Sequence, residues 1–198
     1  MSLDLEFLSA YAKTCRFRLG APKNVTVTPE NTVLFLRSSG RSFSHDLFEF
    51  NPADGTERVL LTANEILRGA EEKLSPEEKA KRERMRESST GIVSYSLSGP
   101  SVLIRLANRL FVIDRQTKAI TELPQGSFPN DPSFSPDRTK VACVRDGCVQ
   151  IIEVETQAET ALTSCSSSTV TTGLAEFVAQ EEMHRFQGYW WYSNLLFK

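Results

Sequence analysis

The chain is poor in the residues that most often carry catalysis. Of its 198 residues two are histidine, His45 and His184, and four are cysteine, Cys15, Cys143, Cys148 and Cys165. The cysteines lack zinc-type spacing and have no histidine cluster beside them, so no metal site is expected. Cys143 and Cys148 flank the turn Arg145-Asp146-Gly147 and could face each other across a hairpin. In a reducing compartment they read instead as small buried thiols. There is no Gly-x-Ser-x-Gly elbow, no P-loop and no dinucleotide-binding glycine pattern, which leaves no nucleophile for catalysis by this chain alone and no cofactor to expect. No apolar run approaches the roughly 20 residues of a membrane helix, and the start Met1-Ser2-Leu3-Asp4-Leu5-Glu6 lacks the basic and apolar regions of a signal peptide. Nor is there an excess of one charge: 23 Lys and Arg against 25 Asp and Glu leave a formal charge of -2. A nucleic-acid or membrane partner is therefore not expected, and the chain reads as cytoplasmic.

What the sequence does contain is a repeated strand pattern. With 40% hydrophobic and 24% charged residues the composition is that of a globular protein. Leu47-Phe48-Glu49-Phe50-Asn51, Leu110-Phe111-Val112-Ile113-Asp114 and Val149-Gln150-Ile151-Ile152-Glu153 are three copies of one local pattern. Each is followed by a polar turn, a threonine (Thr56, Thr117, Thr156) and a second short apolar segment ending near Leu61, Leu123 or Leu162, which makes each copy a hairpin. The second and third copies lie 39 residues apart, close to the roughly 40 to 45 residues of a four-stranded propeller blade. The third shows a whole blade: a strand at Phe134, then Lys140 to Val144, Cys148 to Val154 and Thr160 to Leu162, separated by the turns Ser135-Pro136-Asp137 and Asp146-Gly147. The expected fold is all-β, a partial, open β-propeller of about three four-stranded blades with helical insertions. A closed ring needs four or more blades, so closure within this chain is not expected.

The first and second copies are 63 residues apart, and the excess marks an insertion at about 64–89. Ser75-Pro76-Glu77-Glu78 supplies a capping hydroxyl, a proline at the first helical position and a Glu at the third. The helix then runs through Arg82-Glu83-Arg84-Met85-Arg86 with its bases late, as the helix dipole favours. Ala80 and Met85 are its only apolar members, so it is expected to lie exposed or across a polar opening. A second helix is expected from Thr172 or Gly173 to Met183, with Leu174, Phe177 and Val178 docking one face and Glu181-Glu182 at its far end. Taken alone, these glutamates read as a solvated helix end, and Arg-Glu-Arg-Met-Arg as a salt-bridged surface.

Together the two segments resemble a known family. Gly173-Leu174-Ala175-Glu176-Phe177-Val178-Ala179-Gln180-Glu181-Glu182-Met183-His184-Arg185-Phe186-Gln187-Gly188-Tyr189-Trp190-Trp191 is similar to the double-glutamate segment of the dipeptidyl peptidase IV family, serine exopeptidases built from an N-terminal β-propeller and an α/β-hydrolase domain. Leu74 through Arg86, then Gly91-Ile92-Val93-Ser94-Tyr95, resembles the arginine-bearing insertion of its bacterial and cytosolic members. The resemblance implies a propeller portion over residues 1–191, with the double-glutamate segment at 173–183 and an aberrant or truncated tail at 192–198.

It further implies that Glu181 and Glu182 bind the free α-amino group of a peptide substrate and that Arg86, with Arg82 as the alternative, binds its backbone carbonyl. The partner implied is thus a peptide N-terminus. His184 stands where the family usually has Asp, and the Ser-Asp-His hydrolase domain is absent from the sequence, so hydrolysis by this chain alone is not expected. An unpaired last blade and the tail Leu195-Leu196-Phe197 suggest an apolar edge open to self-association or to a partner. The competing expectation is a non-catalytic interaction module built on the same open propeller.

Overall fold

A computed structural model describes residues 5–85, 87–164, 170–193 and 195–197, with the backbone alone at 77 and 195–197. Arg86, the connector from Cys165 to Thr169 and the side chains of the apolar tail therefore lie outside the described residues. The chain divides into two compact units, residues 1–72 with 88–94 and residues 73–87 with 95–198.

The first unit begins with helix α1 (Leu5–Lys13), none of whose residues is buried, and continues in strands β1 (Lys23–Val27), β2 (Val33–Ser38), β3 (Ser44–Asn51) and β4 (Thr56–Leu61). These strands form an antiparallel meander, with β3 and β4 as the first expected hairpin. Helix α2 (Ala63–Leu67) follows, buries Ile66 and Leu67, and opens with a full capping box between Thr62 and Glu65. The Thr-x-x-Glu spacing that announces it stands in the sequence at Thr62-Ala63-Asn64-Glu65. Strand β5 (Thr90–Gly91) then pairs in parallel with β3.

The second unit opens with helix α3 (Pro76–Arg84), started as expected: the Ser75 hydroxyl accepts the Glu78 N–H at 3.2 Å, and Pro76 occupies the first turn. Two four-stranded meanders follow. The first is β6 (Tyr95–Ser98), β7 (Ser101–Leu106), β8 (Arg109–Asp114) and β9 (Ile120–Glu122). The second is β10 (Asn130–Phe134), β11 (Lys140–Arg145), β12 (Cys148–Glu153) and β13 (Glu159–Ala161), within a residue or two of the blade expected from the repeat. After them come the short helix α4 (Phe177–Glu181) and a two-stranded hairpin, β14 (Trp190–Tyr192) with β15 (Leu195–Phe197). The architecture is all-β and open-propeller-like, in four-stranded antiparallel blades, and no sheet closes on itself among the described residues.

Strand β11 is apolar from Val141 to Val144 because both of its faces are covered there. Val141 and Cys143 point into a core with Leu103, Leu110, Leu123 and Phe134, while Ala142 and Val144 point the other way onto Tyr189 and Leu174. Burial pushes the Cys143 thiol up to about 12, so it stays protonated. In register Cys143 faces Gln150 and Cys148 faces Arg145, so the two cysteines are not opposed. The expectation of two thiols is corrected at Cys148, which is disulfide-bonded, whereas Cys143 is free.

Three of the turns share one device, an aspartate whose carboxylate closes the loop on a nearby threonine. Asp114 Oδ1 accepts from the Thr117 N–H at 2.7 Å, the Thr117 hydroxyl and the Gln116 N–H; Asp54 and Asp137 do the same with Thr56 and Thr139. The bonds from Thr117 hold the Asp114 carboxyl below its ordinary value of 3.8. A carboxyl lowered by folding stabilises the fold above its unfolded value and loses that contribution as pH falls through the folded one. Asp114→Asn is therefore expected to lower the thermal midpoint by a few degrees at neutral pH, with the gap to the unaltered chain closing below about pH 3.8. A gap that stays constant down to pH 2 would show that these bonds contribute nothing through the charge.

Candidate functional site

Of the two placements expected for the arginine-bearing helix, exposed or across a polar opening, simple exposure does not hold. Glu78 is fully buried and Arg82 nearly so, and they pair along the helix, with Arg82 Nη2 and Nε donating to Glu78 Oε1 at 2.6 and 3.1 Å. Lys81, on the same inward side, donates to Asp131 at 2.6 Å, with side chains 12% and 15% exposed. Arg105 of β7 lies over the Phe128 ring at 4.7 Å and feels the charges of both Glu78 and Asp131. A helix with no apolar stripe thus docks through charge, because the surface it meets supplies opposite charge rather than hydrocarbon. Satisfaction is incomplete: Glu78 Oε2 and Arg105 Nε are buried without a hydrogen-bond partner. Burial drags the Lys81 ammonium below its ordinary 10.5, and Asp131 opposes that shift.

The double-glutamate segment is a closed loop, and its helix is shorter than expected. Leu174 bridges to Gln187, and Gly173 and Gly188 touch at the base of the loop. With Leu174 spent on this bridge and on the Tyr189 core, the helical turn starts only at Phe177, where Glu176 caps it by accepting from the Val178 and Ala179 N–H groups. The expected apolar face is corrected accordingly. Ala175 and Ala179 are buried, whereas Phe177 and Val178 are 63% and 50% exposed. Glu181 ends the helix half-buried and Glu182 follows it exposed. Among the described residues neither carboxylate has a hydrogen-bonded partner. His184 adopts a left-handed backbone at φ 52°, a conformation that Asp and Asn favour and that His also tolerates.

Tyr189 pegs the loop to the blade. Fully buried, its hydroxyl reaches the carbonyls of Ala142 at 2.8 Å and of Asp131, and it accepts from Ser133 Oγ at 3.2 Å. Trp191 Nε1 donates to the same Ser133 oxygen at 3.1 Å, so Tyr189 and Trp191 grip β10 together. Burial raises the Tyr189 phenol, which stays neutral and able to donate.

Helix and loop meet across a cleft of about 440 Å³, lined by Lys81 and Arg84 on one side, Gln180 and Phe186 on the other, and Asn130 and Asp131 at the floor. A second hollow of about 600 Å³ beside it is lined by Asp131, Ser133, His184, Gln187 and Trp190. Of the arginines considered from the sequence, Arg82 faces inward, committed to Glu78, and Arg86 lies outside the described residues. Arg84 was missed, although helical phase points to it. Pro76, Ala80 and Arg84 fall at i, i+4 and i+8 on the face that lines the cleft, whereas Glu78 and Arg82 lie on another. Asp131 and Tyr189 were missed because their roles depend on contacts made across some fifty residues of sequence.

Residues 101–194 match a family described as the dipeptidyl peptidase IV (DPP IV) N-terminal region. Over that stretch the chain is similar to a DPP IV N-terminal region. It contains β7 to β9 of the first meander of the second unit, the whole second meander and the double-glutamate loop. Human dipeptidyl peptidase 8 is 31% identical over 137 residues, which cover 59% of this chain and 15% of the relative. The crystal structure of Porphyromonas gingivalis dipeptidyl peptidase 4 superimposes with a TM-score of 0.57 at 18% identity, over 96% of this chain and 26% of that one, and shows the shared fold. The chain therefore spans only about a quarter or less of the relatives it matches.

Proposed function

We propose that this chain supplies the amine-recognition part of a dipeptidyl peptidase IV type serine peptidase, which removes N-terminal dipeptides. Glu181 and Glu182 accept hydrogen bonds from the free α-ammonium of the peptide, whose three donors suit two fixed carboxylates. An arginine of the α3 end, Arg86 or Arg84, donates to the first peptide carbonyl. Holding the chain end at a set distance from a nucleophile makes such an enzyme count two residues. The nucleophile belongs to a hydrolase domain outside this sequence, and the proposed setting is the cytoplasm. The reading rests above all on the cleft, which places the cationic face of α3 opposite Gln180, the residue next to Glu181, within one compact unit.

The test is titration with the dipeptide Gly-Pro against N-acetyl-Gly-Pro, followed by the fluorescence of Trp190 and Trp191. Binding of the free amine alone is expected, with affinity lost at least tenfold in Glu181→Ala. It should also weaken about tenfold per pH unit above the α-amine range of about 7.7 to 8.0, where the ligand loses its charge. Equal binding of the acetylated peptide would overturn the proposal. A second reading, an interaction module, is favoured by one observation: Phe7, Tyr11 and Phe17 form an exposed aromatic cluster on and just after α1, ring centroids about 6 Å apart.

A further inference from the structure

We propose that Asp131 is a positioning residue that latches the arginine-bearing helix to the double-glutamate loop, so that the two walls of the cleft are set by one residue. The inference rests on the amine-recognition reading of that cleft. Asp131 sits where the pairing of β10 with β11 slips between Asn130 and Ser133, next to Pro132, and its backbone is left-handed at φ 45°. A bulge releases a residue from the ladder and re-aims its groups. Here the carboxylate turns to one wall and accepts from Lys81 Nζ at 2.6 Å, while the carbonyl of the same residue accepts from the Tyr189 hydroxyl at the root of the other. Tyr189 lies two residues after Gln187, whose bridge to Leu174 closes the loop that carries Glu181 and Glu182. Both hollows beside the loop have Asp131 in their lining.

The charges facing this point make the carboxylate difficult to replace. Lys81, Arg82 and Arg105 converge on Glu78 and Asp131, and Glu78 is already engaged by Arg82. Without the Asp131 charge, three cations face one anion in a largely dry setting, and repulsion drives α3 away from the blade. The left-handed backbone also restricts the position to residues that tolerate it, and asparagine, which keeps the shape and removes the charge, is among them.

The experiment compares Asp131→Asn, Lys81→Met and the double variant by amide hydrogen exchange and by the ratio of Gly-Pro to N-acetyl-Gly-Pro affinity. Each single variant is expected to speed exchange over residues 175–187 at least tenfold and to reduce the ratio at least fivefold, the double variant being no worse than the worse single. Unchanged exchange over 175–187, with only a uniform loss of stability, would overturn the latch; so would additive effects. Should the unaltered chain fail to prefer the free amine, the recognition reading falls. The latch is then decided by exchange alone, with acceleration confined to 175–187 supporting it. Tyr189→Phe, which removes the other arm, is expected to speed exchange in the same residues, and no change there would count against the proposal.

Discussion

Replacing Arg82 with methionine is expected to cost the second unit about 3–5 kcal/mol, the penalty of leaving a buried carboxylate without its counter-charge. Glu78 has no exposed surface and already carries one unpaired oxygen, so it has no route to water once the guanidinium is gone. The cost belongs to the broken pair rather than to the pair's net worth. A charged couple taken out of water loses in desolvation much of what it gains by attraction, so the double variant Glu78→Gln, Arg82→Met should recover at least half of the loss. Urea unfolding followed by Trp190 and Trp191 measures both, since these tryptophans belong to the same unit. A single variant within about 0.5 kcal/mol of the unaltered chain would mean that the helix is held without this pair.

The second large effect is expected at Gly188. A Cβ there would lie 2.7 Å from the carbonyl carbon and oxygen of Gly173 and from the carbonyl carbon of Leu174, all backbone atoms that no rotamer change can move. Gly188→Ala must therefore part the base of the loop, at or above the upper end of the roughly 1–3 kcal/mol typical of overpacking. The bridge from Leu174 to Gln187 is expected to open, Trp191 emission to shift red, and discrimination between Gly-Pro and its acetylated form to be lost. The first unit should melt unchanged. Retained discrimination with an unshifted spectrum would show that the loop absorbs the methyl elsewhere.

How far the sequence spoke depended on whether a feature was local. The hairpins at Leu47, Leu110 and Val149 were legible because alternation, a polar turn with an acidic residue and a following threonine all lie within about a dozen residues. The start of α3 was legible for the same reason, since Ser75 and Pro76 act on the turn they begin. What that helix packs against was not legible. Charges at Glu78, Lys81 and Arg82 look the same in sequence whether they face water or face Arg105 and Asp131, and only the fold brings those partners up. The loop misled by its periodicity. Leu174, Phe177 and Val178 have helical spacing, but the contact of Gly173 with Gly188 pulls Leu174 into a bridge and leaves the other two at the surface. The glutamate pair stands out in the sequence only through its resemblance to a family motif, and Arg84, which lines the cleft, lies within a helical turn of both Arg82 and Arg86.

The loop that carries the glutamates is also the cover over β11. Val141-Ala142-Cys143-Val144 is an uncharged stretch of high strand propensity, the composition that seeds aggregation when it is uncovered. One of its faces is closed by the neighbouring blade and the other by Tyr189 and Leu174. Variation that loosened the loop to admit other ligands would therefore be paid for in solubility before it was felt in binding. The recognition proposed for the loop and the colloidal stability of the blade would then rest on the same dozen residues, which leaves this segment little freedom to drift.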